Sequence, residues 1–248
     1  MPTTWEVRAR NLTEHANNVI HTDAGARAAG FPSALVAGVT TYGYLTRPLV
    51  VAWGVDWVAN GGGEVRFRAP VFADAAVQCV PTLAADGSTV VEAVCPAQER
   101  NPRVTFTAVR NAGEPPEMRD GERLASRRFT LGTDFAADYG ERAGDDLMLY
   151  SAQGIMHPVT WPQIANRIFS TDLVNGAWIH TRSIIRHHAV ATVGAIVDVH
   201  ATVVDRFQRG GTRAIADVLI EHDGRPIASL EHEAIIELSA SAGEAEGV

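Results

Sequence analysis

The chain is poor in cysteine, has no unbroken apolar run and no excess of basic charge, and carries no phosphate-binding glycine loop. Each absence removes a class of protein. Only Cys79 and Cys95 occur in 248 residues. That is too few for a disulfide framework in a chain this long, so both are expected to be buried structural thiols in a reducing compartment. The longest apolar stretch, LTRPLVVAWGVDWVA, is interrupted by Arg47, Pro48 and Asp56 and cannot span a bilayer. The opening MPTTWEVRARN is polar and does not read as a secretory signal, so a cytoplasmic location is expected. A net charge of −8 and a pI near 5.6 offer no basic face to nucleic acid or to an anionic membrane. The Arg127–Arg128 pair reads as a solvated strand face. The GGG at 61–63 precedes a strand instead of opening a helix, and no nucleotide cofactor is implied. His180, His187, His188, His200, His222 and His232 fall in strand patterns without metal-ligand spacing. In RHH (186–188) neighbouring rings point to opposite strand faces, and His21-x-Asp23 lacks a third ligand, so no metal is expected.

What is present is an ordinary globular composition, 46% apolar and 20% charged. The length permits one large domain or two of about 120 residues. The element order repeats. An extended piece, TTWEVRAR, leads to an apolar helix over 39–60, with a break or kink suggested at Pro48 and a stop at GGG. Strands follow in EVRFRAPV, AAVQCVPTLA, STVVEAVCPA and RVTFTAVR, with ADG (85–87) as a hairpin turn. The Pro-, Gly- and charge-rich NAGEPPEMRDGE marks a linker. SRRFTLG, then DFAADYGERAGDD as a helix that passes into a loop, a long helix over 157–174 and four further strands repeat the plan. The halves are placed at 1–112 and 125–240, with a linker at 113–124 and a frayed tail at 241–248.

The stretch NNVIHTDAGARAAGF followed by ALVAGVTTY resembles the signature of the MaoC-like hydratase/dehydratase family. Asn18, His21, Asp23 and Gly30-Phe31 fall on that pattern, and Gly38 falls on the glycine of its His-Gly step, with Ala37 in place of the His. VRFRAPVFADAAV resembles the family's following strand. The resemblance spans most of residues 14–80. It implies an α+β double hotdog, each repeat a central helix wrapped by a curved antiparallel sheet, the two sheets continuous or back to back. It further implies reversible hydration of enoyl groups to 3-hydroxyacyl groups on CoA or an acyl carrier protein.

By this resemblance His21 is the acid/base and Asn18 orients it or the substrate. The Gly38 amide polarises the thioester carbonyl, and Val39, Thr40, Thr41 and Tyr42 are substrate-binding candidates. The family's catalytic Asp position is Ala16 here; Glu14 and His15 are near enough in sequence to substitute. In the second half AGDDLMLY puts Asp145 on the Asp position and Tyr150 on the His position, and His157 falls on the helix-opening His, so Asp145, Tyr150 and His157 are secondary candidates. Read without the resemblance, His21 is a loop histidine capping the next segment, Asp23 is the N-cap of AGARAAG, and Gly38 serves close packing. The alternatives to hydration are thioester hydrolysis or a specialised lyase or isomerase step in the same pocket, and a non-catalytic acyl or small-molecule binding module. No cofactor beyond the thioester substrate is implied, and a homodimer is one possible assembly.

Overall fold

The structure, a computed structural model, describes residues 1–99 and 101–238. The tail expected over 241–248 lies outside the described residues. In the first half β1 (Trp5–Arg8) leads through short 3-10 turns at Thr13–His15 and Val19–His21 to α1 (Asp23–Ala28), α2 (Gly38–Trp53) and α3 (Val55–Asn60). Four strands follow: β2 (Gly62–Phe67), β3 (Ala76–Leu83), β4 (Thr89–Val94) and β5 (Val104–Val109). Past β6 (Glu122–Arg123), the second half runs β7 (Arg127–Thr130), α4 (Tyr139–Ala143), α5 (Leu149–Gln153) and α6 (Thr160–Asp172). It ends in β8 (Ile179–His187), β9 (Ile196–Gln208), β10 (Thr212–His222) and β11 (Arg225–Glu237).

All eleven strands form one sheet. The first half runs β1-β3-β4-β5-β2, and the second β7-β9-β10-β11-β8. Substituting β7 for β1, β8 for β2 and so on turns one order into the other. The halves are therefore two copies of one topology, joined where β2 pairs antiparallel with β8 from Gly62↔Arg186 to Arg66↔Arg182. The sheets are continuous. Strand alternation does the sorting at this seam: Val65 and Ser183 point inward and are fully buried, while Glu64, Arg66 and Arg182 point out and form ion pairs. α2 packs on β3, β4 and β5, and α6 packs on β8 and β11. This is the hotdog arrangement in each half.

Three local expectations change. The 39–60 helix does not break at Pro48, which sits inside α2; it breaks at Gly54, whose φ of +68° is a conformation only glycine adopts cheaply. In DFAADYGERAGDD only Tyr139–Ala143 is helical. The linker is not wholly irregular: β6 pairs with β9, and Arg119 lies across the outer sheet face, bonded to Asp217 and Glu231. Among the described residues no helix is long and apolar enough to cross a membrane.

Candidate active site

A cavity of about 1010 Å³ lies between the halves. The first half contributes the 14–21 turns, the 35–38 segment and the chain leaving β2. The second contributes residues 133–136, one side of α6 (Gln163, Asn166, Arg167) and the approach to β8. The 3-10 turns exist because each amide closes on a carbonyl three residues back: His15 N–H on Leu12, Asn18 N–H on His15 and His21 N–H on Asn18. This tight winding places Glu14, His15, Asn18 and His21 along one wall.

His21 is half-buried and lines the cavity. Its Nδ1 lies 2.8 Å from the carbonyl oxygen of Leu35. A carbonyl can only accept, so Nδ1 carries the proton and Nε2 keeps its lone pair. Burial lowers the ring's pKa below that of a free histidine, partly offset by the Leu35 bond, so the neutral base is favoured. The group that fixes the ring is thus a backbone carbonyl, and Asn18 acts elsewhere: its Nδ2 donates to the Trp178 carbonyl at 2.8 Å, tying the loop to the second half. The Asn18 Oδ1 is buried and has no partner among the described residues. The helix that follows is capped by Thr22, whose Oγ1 accepts from Gly25 N–H. Asp23, expected as the cap, is the first helical residue, and its Oδ1 accepts from Ala34 N–H at 2.9 Å.

At the Asp position Ala16 offers no acid. His15 is the nearest titratable ring, its centroid 5.9 Å from that of His21. His15 Nε2 shares a 2.9 Å hydrogen bond with the Tyr139 hydroxyl, which shares another with Thr40 Oγ1. Burial, with His21 as a second cause, lowers the His15 pKa to about 4. Glu14 lines the cavity but is engaged by the Arg142 guanidinium and by Gln163 Nε2.

Across from these, α2 begins at Gly38 with no side-chain cap. The Gly38 and Val39 amides donate to no described residue, so the helix presents free N–H groups and its positive end. Gly38 and Thr41 line the cavity. Val39, Thr40 and Tyr42, also expected to bind substrate, face the interior: Thr40 reaches Tyr139, and the Tyr42 ring packs edge-on against Phe106 at 5.2 Å. A single helix cannot aim five successive residues at one cavity.

The second half's counterpart is sealed. Asp145, Tyr150 and His157 are all buried and none lines the cavity. Asp145 Oδ1 accepts from Arg47 Nε at 3.1 Å and from Leu147 N–H at 2.9 Å. His157 Nδ1 accepts from Val159 N–H at the start of α6, its Nε2 lies 3.8 Å from Asp145 Oδ2, and the Tyr150 ring packs on it at 4.4 Å. Arg47 also stacks on Trp5. These groups brace the two halves against each other.

His180, an ordinary strand histidine by its sequence pattern, is a cavity residue. It lines the wall beside Gly38, its Nε2 bonded to Ser183 Oγ at 2.8 Å. Its ring neighbours Phe67 and His232, which come from β2 and β11, reveal it. Among the described residues no group of three or more His, Cys, Asp or Glu side chains is placed to hold a metal ion. Cys79 and Cys95 are buried free thiols.

No protein-family model and no curated protein matches the chain. Solved structures do. A protein provisionally named an oleoyl thioesterase from Lactobacillus plantarum aligns over 96% of this chain and 98% of its own, with a TM-score of 0.60 and 8% identity. A protein provisionally named a MaoC domain dehydratase from Chloroflexus aurantiacus covers 96% of each chain, with a TM-score of 0.60 and 11% identity. A MaoC-like dehydratase gives a TM-score of 0.56 at 14% identity over 96% of this chain and 98% of its own. The chain is a double hotdog protein. That fold is shared by MaoC-like dehydratases and by thioesterases.

Proposed function

We propose that this protein is a MaoC-like enzyme that hydrates and dehydrates acyl thioesters, with His21 as its acid/base. The observation that carries the reading is the pairing of a fixed imidazole with an uncapped helix start in one cavity. His21 has Nδ1 committed to the Leu35 carbonyl and Nε2 free, and the amides that open α2 are unpaired on the same cavity. An enoyl thioester needs both. His21 Nε2 takes a proton from water as the water oxygen adds to C3. The displaced electrons move through C2 to the thioester oxygen, where the Gly38 amide and the positive end of α2 hold the developing negative charge. The imidazolium then returns its proton to C2, and the ring is neutral again. Dehydration is the reverse.

In this scheme His15 takes the place left by Ala16. Its burial keeps it uncharged, so beside His21 it serves as a hydrogen-bonding partner for the water and not as a carboxylate base. The unpaired Asn18 Oδ1 suits the hydroxyl of a 3-hydroxyacyl chain. The cavity volume sits at the top of the usual small-molecule range, roughly 300–1,000 Å³. That supports an acyl group together with part of its carrier arm, from CoA or a carrier protein.

Thioester hydrolysis is the second reading, favoured by the structural likeness to a protein named a thioesterase. Crotonyl-CoA separates the two when enone absorbance and free thiol are followed together. Loss of enone without thiol is the expected result. Release of thiol establishes hydrolysis instead, and binding without either change leaves an acyl-binding module.

A further inference from the structure

His180 belongs to a buried network that none of the steps above uses. It lies on β8 and His232 lies on β11; Ser183 and His232 are direct partners in the ladder between those strands. Ser183 Oγ is 2.8 Å from His180 Nε2 and 2.8 Å from His232 Nδ1. The His180 ring is wedged between Phe67 and His232, with centroids 4.4 Å and 4.2 Å away. All three residues are buried, and His180 Nδ1 has no partner among the described residues. That nitrogen is itself buried and lies 3.5 Å from where a Cβ on Gly38 would stand, with the Phe67 ring edge 3.1 Å from the same point, so it faces the start of α2 across the space the glycine leaves.

A serine has one proton to give. When His232 Nδ1–H donates to Ser183 and Ser183 donates to His180 Nε2, the His180 proton must sit on Nδ1, and the free nitrogen is a donor. When the chain runs the other way, the same nitrogen is an acceptor. The network therefore has two proton orders, and whatever faces His180 Nδ1 selects between them. Burial keeps both rings uncharged at neutral pH, lowering His180 to about 3 and His232 well below its ordinary value. The donor on offer is a neutral N–H.

We propose that His180 Nδ1–H is a second donor to the carbonyl oxygen of the bound thioester, beside the Gly38 amide, and that Ser183 and His232 are positioning residues that hold this tautomer. The inference rests on the acyl-thioester reading. A thioester carbonyl is a pure acceptor, so its binding drives the proton order that places the hydrogen on Nδ1.

The test uses butyryl-CoA carrying a 13C-labelled carbonyl, a saturated thioester that cannot be hydrated. Calorimetry gives its affinity and infrared difference spectra give its carbonyl stretch. Wild type is expected to bind it with the stretch lowered. His180→Leu should lose much of that lowering and about tenfold in affinity, the worth of one hydrogen bond. His180→Gln, which keeps a donor, should recover part of both, whereas a residue needed only for packing would not distinguish the two substitutions. Nitrogen-15 spectra of wild type read the tautomer directly, even where a variant fails to fold: the proton should be on Nδ1 in the complex. A wild-type carbonyl shift in His180→Leu, or a proton on Nε2 in the complex, overturns this inference alone. Failure of wild type to bind butyryl-CoA overturns the thioester reading with it.

Discussion

Replacing His21 with alanine separates its chemical role from its structural one. Structurally the ring supplies one hydrogen bond, Nδ1 to the Leu35 carbonyl at 2.8 Å. Such a bond contributes about 1 kcal/mol net, and Leu35 borders the cavity, so water can satisfy the exposed carbonyl. In a chain of this size that corresponds to a fall of roughly 2–4 °C in Tm. Chemically the ring is the only group in the scheme that moves a proton to and from carbon. Loss of such a group costs about 10²–10⁴-fold, or roughly 3–5 kcal/mol of transition-state stabilisation. His21→Ala should thus leave a folded protein with kcat on crotonyl-CoA reduced by at least about a hundredfold. His21→Gln can still donate to Leu35 but cannot carry the proton, so it should keep the stability and lose the rate. The wild-type kcat/KM should show an acidic limb below the ordinary histidine value of 6.5, because burial lowers the His21 pKa and the neutral ring is the active form. Steady-state kinetics and thermal melts on the same preparations decide the matter. An alanine variant that retains most of its kcat refutes the role of His21, and one that loses rate only because it unfolds refutes the separation.

Other perturbations have distinct expected outcomes. His187 is buried against Trp57 with its pKa lowered to about 4, and His15 is lowered to about 4 as well. Their folded values lie below the unfolded 6.5, so the stability they contribute is present above pH 6.5 and is lost as pH falls towards 4, by up to about 3 kcal/mol each; urea melts at pH 7 and pH 4.5 measure this. At Gly38 a Cβ would meet the Phe67 ring at 3.1 Å, so Gly38→Ala needs only a small ring shift, while Gly38→Val should abolish thioester binding in a protein whose circular dichroism is unchanged. Asp145→Ala removes a buried partner of Arg47 outside the cavity and should destabilise the fold by about 2–4 kcal/mol with kcat preserved, read from denaturant melts and the enone assay. Burial pushes the Cys79 thiol pKa up, so it should react with a thiol reagent only after unfolding.

The sequence by itself determined the elements and their repetition. Alternation in EVRFRAPV is the buried Val65 and outward Arg66 of β2, and the ADG turn joins β3 to β4, because side-chain period and turn chemistry act over a few neighbouring residues. The motif around His21 was legible for the same reason: its residues lie on one short turn-rich segment. The break at Gly54 in place of Pro48 was less so, since α2 is buried along most of its length and packing holds it through the proline. Only the tertiary structure decided which repeat keeps an open cavity. Asp145, Tyr150 and His157 fall on the motif with the opposite defect, a tyrosine at the His position, yet they are buried away from the cavity, Asp145 held by Arg47 of the other half and the Tyr150 ring packed on His157. Tertiary structure also sent the Asn18 amide to Trp178, 160 residues away, and joined His180, Ser183 and His232 across two strands. Those contacts follow from the pairing of β2 with β8 and of β8 with β11, a long-range register that the whole sheet fixes and no local pattern contains.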